Sequence, residues 1–188
     1  MSDAETECPT SKIAALVQAI QSDAEVGMRE LEVLLGDYPA DARLRFLQGS
    51  LLAGSRRHGE AQDAMLRAVE IAPDYAVARF QLGFLQLTSG DPTAAEATWA
   101  PLGDLPQGHY LRLFSIGLGH FMRDDFAQAI ALLKEGIARN TEILPINHDM
   151  GLLLQESQKI LDGGTPAEAA SSATQILLQQ FGSDRTRH

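Results

Sequence analysis

Apolar residues return along this chain at the spacing of one helical face, and the runs are cut at regular places. Ile13, Ala14, Leu16, Val17 and Ile20 make a first stripe, which starts after Thr10 or Ser11, either of which suits a helix cap. A break at Ser22-Asp23 leads into a second stripe of Val26, Met28, Leu31, Leu34 and Leu35, closed by Gly36 and Pro39. The pattern then predicts a helix over 40–54 and another that starts near His58 and ends at Pro73. A third pair begins at Ala76, and Asp91-Pro92 provides the N-cap and first residue of its second helix. Pro101 falls inside that second helix, where an interior proline removes a backbone hydrogen bond and costs about 3 kcal/mol or more. The helix is therefore expected to stop or kink near Ala100, with a loop over 101–108. A fourth pair covers 110–143, and a fifth first helix runs from about Pro145 to Leu161. Gly163-Gly164 interrupts it, and Thr165-Pro166-Ala167-Glu168 forms a capping box for a last helix over 166–181, apolar at Ile176, Leu177, Leu178 and Phe181.

These runs keep one register. Glycine stands at 49, 83, 117 and 151, in steps of 34 residues; Ala61, Ala95 and Ala129 keep the same step, as do Phe46, Phe80 and Phe114, and Pro39 and Pro73. A fixed period of this length marks a helical repeat array. Small residues are needed where helices cross at about 8–10 Å, so Ala61→Leu is expected to splay its hairpin. Leu82, Gly83, Ala95 and Trp99 resemble the signature of the tetratricopeptide repeat, a helix-turn-helix unit. The resemblance implies an all-α fold, a right-handed superhelix of antiparallel helix hairpins (a TPR-like α-solenoid) with a C-terminal capping helix. Its expected layout is a flexible acidic tail over 1–9, one domain over 10–182 and a tail over 183–188. Within the domain lie a degenerate repeat at about 8–41, repeats at 42–75, 76–109 and 110–143, and a partial one at 144–182 that includes the capping helix.

Charge changes the picture by exclusion. The net charge is −10; residues 1–41 carry nine acidic and two basic side chains, or −7, leaving −3 for the rest. With no basic stripe, nucleic acid and anionic membranes are poor partners. No apolar run approaches the roughly 18 residues of a membrane helix, and the acidic opening is unlike a secretory signal, so the expected location is cytoplasmic. Cys8 stands alone, which rules out an internal disulfide and places an inert thiol in the expected tail.

Little in the sequence points to catalysis. His58, His109, His120, His148 and His188 never fall at the i, i+4 spacing of a helical metal pair, and no cluster of cysteines or carboxylates completes a site. Asp124-Asp125 fits a turn inside the fourth repeat better than a catalytic pair. The expectation is a protein that is not an enzyme and needs no cofactor.

The resemblance supplies a candidate binding face. In such repeats, steps 2, 5, 9, 12 and 13 of each first helix line the concave side, and they form one stripe distinct from steps 4, 8 and 11. Here they give a mostly apolar row, from which Phe46, Phe80, Phe84, Leu87, Leu111, Phe114, Leu118, Phe121 and Met122 are the candidate partner-binding residues. Contiguous apolar surface usually marks a groove for a partner. Two other arrangements would hide it: the last helix lying in it, or curvature packing the row against itself. The carboxylate clamp of chaperone-adaptor members is absent, since Phe46, Ser50, Gln81, Leu111 and Ser115 occupy its positions, or Lys12, Leu16, Leu47, Val77 and Gln81 one repeat earlier. The asparagine ladder is missing too, with Leu47, Gln81, Ser115 and Asp149 in its place. The resemblance thus implies a scaffold that binds a peptide or amphipathic helix of another protein, as a small secretion chaperone does. The alternatives are a homo-oligomer assembled through the apolar surface and a regulatory module of an enzyme encoded elsewhere.

Overall fold

A computed structural model describes residues 7–162. Among them are α1 (Thr10–Ser22), α2 (Ala24–Asp37), α3 (Ala42–Gly54), α4 (His58–Ile71), α5 (Ala76–Thr88), α6 (Pro92–Trp99), a 3-10 helix (Ala100–Asp104), α7 (Tyr110–Met122), α8 (Phe126–Arg139) and α9 (Leu144–Leu161), with no strand among the described residues. The predicted last helix over 166–181 and the tail after it lie outside the described residues. The chain falls into two compact units, Met1–Leu82 and a second from Gly83 onward.

The 34-residue step seen in the sequence recurs in the backbone. Helices α3, α5 and α7 begin at Ala42, Ala76 and Tyr110 and each has 13 residues. Each ends in the same reverse turn, with a left-handed residue at Arg56 (φ 60°), Gly90 (φ 90°) and Asp124 (φ 59°). The following amide reaches back five residues: Arg57 N–H to the Leu52 carbonyl at 2.9 Å, Asp91 to Gln86 at 2.9 Å, Asp125 to His120 at 3.0 Å. This Schellman closure satisfies carbonyls that the helix end would leave unpaired.

The second helices start on side-chain caps where the sequence supplies them. Asp23 accepts from the amides of Glu25 and Val26, Asp91 from Ala94, and Asp125 from Gln128. At α1 the expected Thr10 or Ser11 cap is not used: Thr10 is already helical, Pro9 is the N-cap and no side chain closes the turn.

Inside each hairpin a glycine admits one bulky partner. A Cβ built on Gly49 would stand 2.5 Å from Met65 Cγ, one on Gly83 would fall into the Trp99 indole, and one on Gly117 would stand 3.3 Å from Leu133 Cδ2. In the first unit, Leu16, Leu31, Leu35 and Leu44 form a buried cluster together with Cys8. The thiol expected in a tail is thus packed against the first helices, with Cys8 2% exposed.

After Trp99 the chain does stop being α-helical, but the expected loop is in part a 3-10 helix. Pro101 has no amide to donate and stands in the first turn of the 3-10 helix, where a donor would have no partner within that helix, and the rewound segment sets Leu102 into the core at 2% exposure.

Candidate functional site

The row proposed from the resemblance is largely core. Phe80, Phe84, Leu87, Leu111, Phe114, Leu118 and Phe121 are all buried, and only Phe46 and Met122 are partly exposed. In the first unit, the Phe46 ring tilts against Tyr75, with centroids 5.4 Å apart. In the second, Phe114 fills the gap between α7 and α8: its Cε1 lies 2.5 Å from where a Cβ on Gly136 would stand, and Tyr110 meets it edge-on at 6.0 Å. Phe121 likewise packs edge-on against Phe126 of α8, at 5.6 Å. The period states which positions share a face; it does not state whether that face meets water. For Phe114 and Phe121 the reason for burial is direct, since their rings enter the seam between two helices.

Several of the residues considered for chemistry make local contacts at helix ends and turns. His120 Nδ1 lies 2.9 Å from Asp125 Oδ2 and ties the end of α7 to the cap of α8. His109 Nδ1 accepts from the Leu111 amide as the N-cap of α7. Asp124 takes the left-handed position of the turn. Tyr110 donates to Glu142 Oε2 at 3.1 Å, and burial first, then the carboxylate, pushes the phenol well above its ordinary pKa. Among the described residues, no group of three or more His, Cys, Asp or Glu is placed to hold a metal ion.

Open surface lies where the repeat is irregular. A cleft of about 210 Å³ in the second unit is lined by Glu96, Trp99, Ala100, Gly103, Ser115, Ile116, Gly119 and Arg123. It forms where α6 gives way to the 3-10 helix beside α7. Ile116 is 38% exposed, and Arg123 Nη1 pairs with Glu96 Oε1 at 2.6 Å. Glycine keeps the wall low: a Cβ on Gly119 would come within 3.1 Å of Arg123 Nη2, while Gly103 has open space at that position. The sequence signalled the helix break at Pro101 but not the cleft, which depends on how α7 meets the rewound segment.

A buried carboxylate with several donors around it gave no sign of itself in the sequence. Asp41 is 2% exposed and accepts from the Cys8 amide at 2.7 Å, the Arg43 amide at 2.9 Å, Arg43 Nε at 3.0 Å and Arg43 Nη2 at 2.6 Å. Burial opposes its charge, but the hydrogen bonds from the Arg43 side chain and the two amides outweigh that and hold the carboxyl below its ordinary pKa. The sequence pattern places Asp41 inside the predicted helix; it is instead the N-cap of α3, and no local pattern encodes its bond to a residue 33 positions earlier.

No family model matches the chain, and no curated protein matches it. Among the described residues no helix is long and apolar enough to cross a membrane.

Proposed function

We propose that the chain is a non-catalytic protein-interaction module of the tetratricopeptide type, which holds an apolar or amphipathic segment of a partner protein. The observation that carries this reading is the helix-turn-helix unit recurring at a 34-residue step with the same Schellman turn each time. Such units stack to present surface, and their diversity lies in side chains placed on a constant frame.

The contact surface in this reading differs from the one the period alone suggests. Of the nine candidates, Phe46 and Met122 remain reachable, and Ile116 beside the cleft is a further exposed apolar side chain. A cleft of about 210 Å³ suits one large apolar side chain of a partner, and the Arg123–Glu96 pair at its wall suits a segment with polar flanks.

The test is affinity purification from the native cell with three chains: wild type, Ile116→Glu and Met122→Glu, each checked for unchanged helicity by circular dichroism. A protein retained by wild type and lost with either variant supports the reading. Retention of nothing, or equal retention by all three, counts against it. Light scattering at several concentrations addresses self-association: a mass that rises with concentration and falls back in either variant favours the homo-oligomer.

A further inference from the structure

Asp41 and Arg43 do more than begin α3. Together they meet both main-chain groups of one distant residue: the Cys8 N–H donates to Asp41 Oδ2 at 2.7 Å, and Arg43 Nη2 donates to the Cys8 carbonyl at 2.7 Å. The Cys8 side chain enters the apolar cluster with Leu16, Leu31, Leu35 and Leu44. The preceding residue adds charge, with Glu7 Oε2 at 3.8 Å from the same guanidinium nitrogen.

This arrangement reads backbone, size and charge separately. One donor and one acceptor facing a single residue recognise main chain in any sequence, as a sheet edge does. The buried side chain limits that residue to something small, because a larger one would overpack a filled cluster. The guanidinium favours an acidic residue just before it. The site is also pre-organised: Asp41 Oδ1 holds the Arg43 amide and Nε, so the pair keeps its geometry by its own bonds.

We propose that Asp41 and Arg43 form a binding site for an extended peptide segment with an acidic residue followed by a small one, and that residues 7–9 are its resident, displaceable occupant. Residues 7–9 precede α1 and contribute no helical hydrogen bonds of their own beyond the Pro9 carbonyl, which accepts from Lys12 and Ile13. Such a segment opens locally well before the hairpins do. A partner carrying the same short pattern then competes for the clamp.

Cys8 provides the readout, since its thiol is shielded while the segment is seated. Burial, with Asp41 adding to it, raises its pKa. The full-length chain is labelled with a thiol reagent in the presence of a synthetic peptide of residues 4–12 carrying Ser in place of Cys8. A tethered occupant competes at an effective concentration in the millimolar range, so the peptide is taken to about 5 mM. The labelling rate should rise about fivefold and saturate, because peptide in the clamp holds the segment out. A peptide with Leu at the Ser position should have no effect, and hydrogen exchange of the α7–α8 core should stay unchanged. A rate insensitive to the peptide, or raised equally by the Leu peptide, overturns the proposal.

Full-length Asp41→Asn offers a second measurement. It should label about tenfold faster or more, since one charge-assisted bond is lost, and its rate should no longer respond to peptide. A rate equal to wild type overturns the proposal as well. Where this variant fails to fold, the wild-type titration decides alone.

Discussion

Gly83 and Gly36 are both helical glycines, yet alanine should act on them in opposite directions. At Gly83 a Cβ would overlap the Trp99 indole, whose Cδ1 would lie 2.6 Å away, and a buried ring has nowhere to go. Overpacking of this kind costs typically about 1–3 kcal/mol, which exceeds the roughly 1 kcal/mol that alanine gains over glycine in helix propensity. At Gly36 nothing lies within 4 Å, so only the gain remains, about 0.5–1 kcal/mol. Urea denaturation should show Gly83→Ala less stable and Gly36→Ala more stable than wild type; the same sign for both would mean that helix propensity outweighs the Trp99 contact. Asp41 gives a pH dependence at this scale. Its folded pKa lies below the ordinary carboxylate value of about 3.9. Its contribution is therefore present above that value and is lost as pH falls through the folded pKa. The stability difference between wild type and Asp41→Asn should be constant near neutrality and shrink below about pH 4. A difference that grows on acidification would contradict the hydrogen-bonded carboxylate.

The turns after α3, α5 and α7 ask for the same left-handed residue, and only one of the three has glycine. Gly90 meets the demand without strain, whereas Arg56 and Asp124 hold φ near 60° with a Cβ present. A non-glycine residue in that region costs roughly 1–2 kcal/mol. Arg56→Gly should therefore raise the urea midpoint by the equivalent of about 1 kcal/mol, since the exposed contacts of an arginine are worth less than the relief. A lower midpoint would show the opposite balance. At this scale the sequence was highly legible. Gly49, Gly83 and Gly117 predicted close crossings, Asp91-Pro92 predicted a helix start, and Pro101 predicted a helix end; each concerns neighbours in sequence or one repeat step apart. What escaped notice needed contacts that no period encodes: the docking of Cys8 on Asp41, the 3-10 rewinding that lets Leu102 enter the core, and the seam into which Phe114 and Phe121 turn. Burial of Phe114 also changes how the proposed binding face is tested. Phe114→Asp would place a charge in the α7–α8 seam and unfold it, so a lost partner would say nothing about recognition; Met122→Glu and Ile116→Glu avoid that confusion.

Over the whole molecule, charge is the property that individual contacts leave unbalanced. The net value is −10, and residues 1–41 hold −7 of it, so acidic side chains repel one another across the early helices. Opposing this are local pairs such as Arg57–Glu60, Arg67–Glu70, Arg139–Glu135 and Lys159–Glu156, most of their side chains about half exposed or more. Exposed pairs contribute about 0–1 kcal/mol each, because water screens them and ordering two long side chains opposes the attraction. Repulsion among like charges acts over longer distances, and salt removes it first: the screening length falls from about 30 Å at 0.01 M to about 8 Å at 0.15 M. Neighbouring ion pairs at hydrogen-bond distance lie well inside either length and lose less. Raising NaCl from about 0.01 to 0.15 M should thus stabilise the chain, raising its melting temperature by about 3 °C, which for a chain of this size is on the order of 1 kcal/mol. A melting temperature that falls with salt would mean that the short-range pairs, rather than the acidic excess, govern the electrostatic balance. Because the clamp at Asp41 is buried, its contribution should stay nearly constant across the same titration, so the salt response of Asp41→Asn should parallel that of wild type.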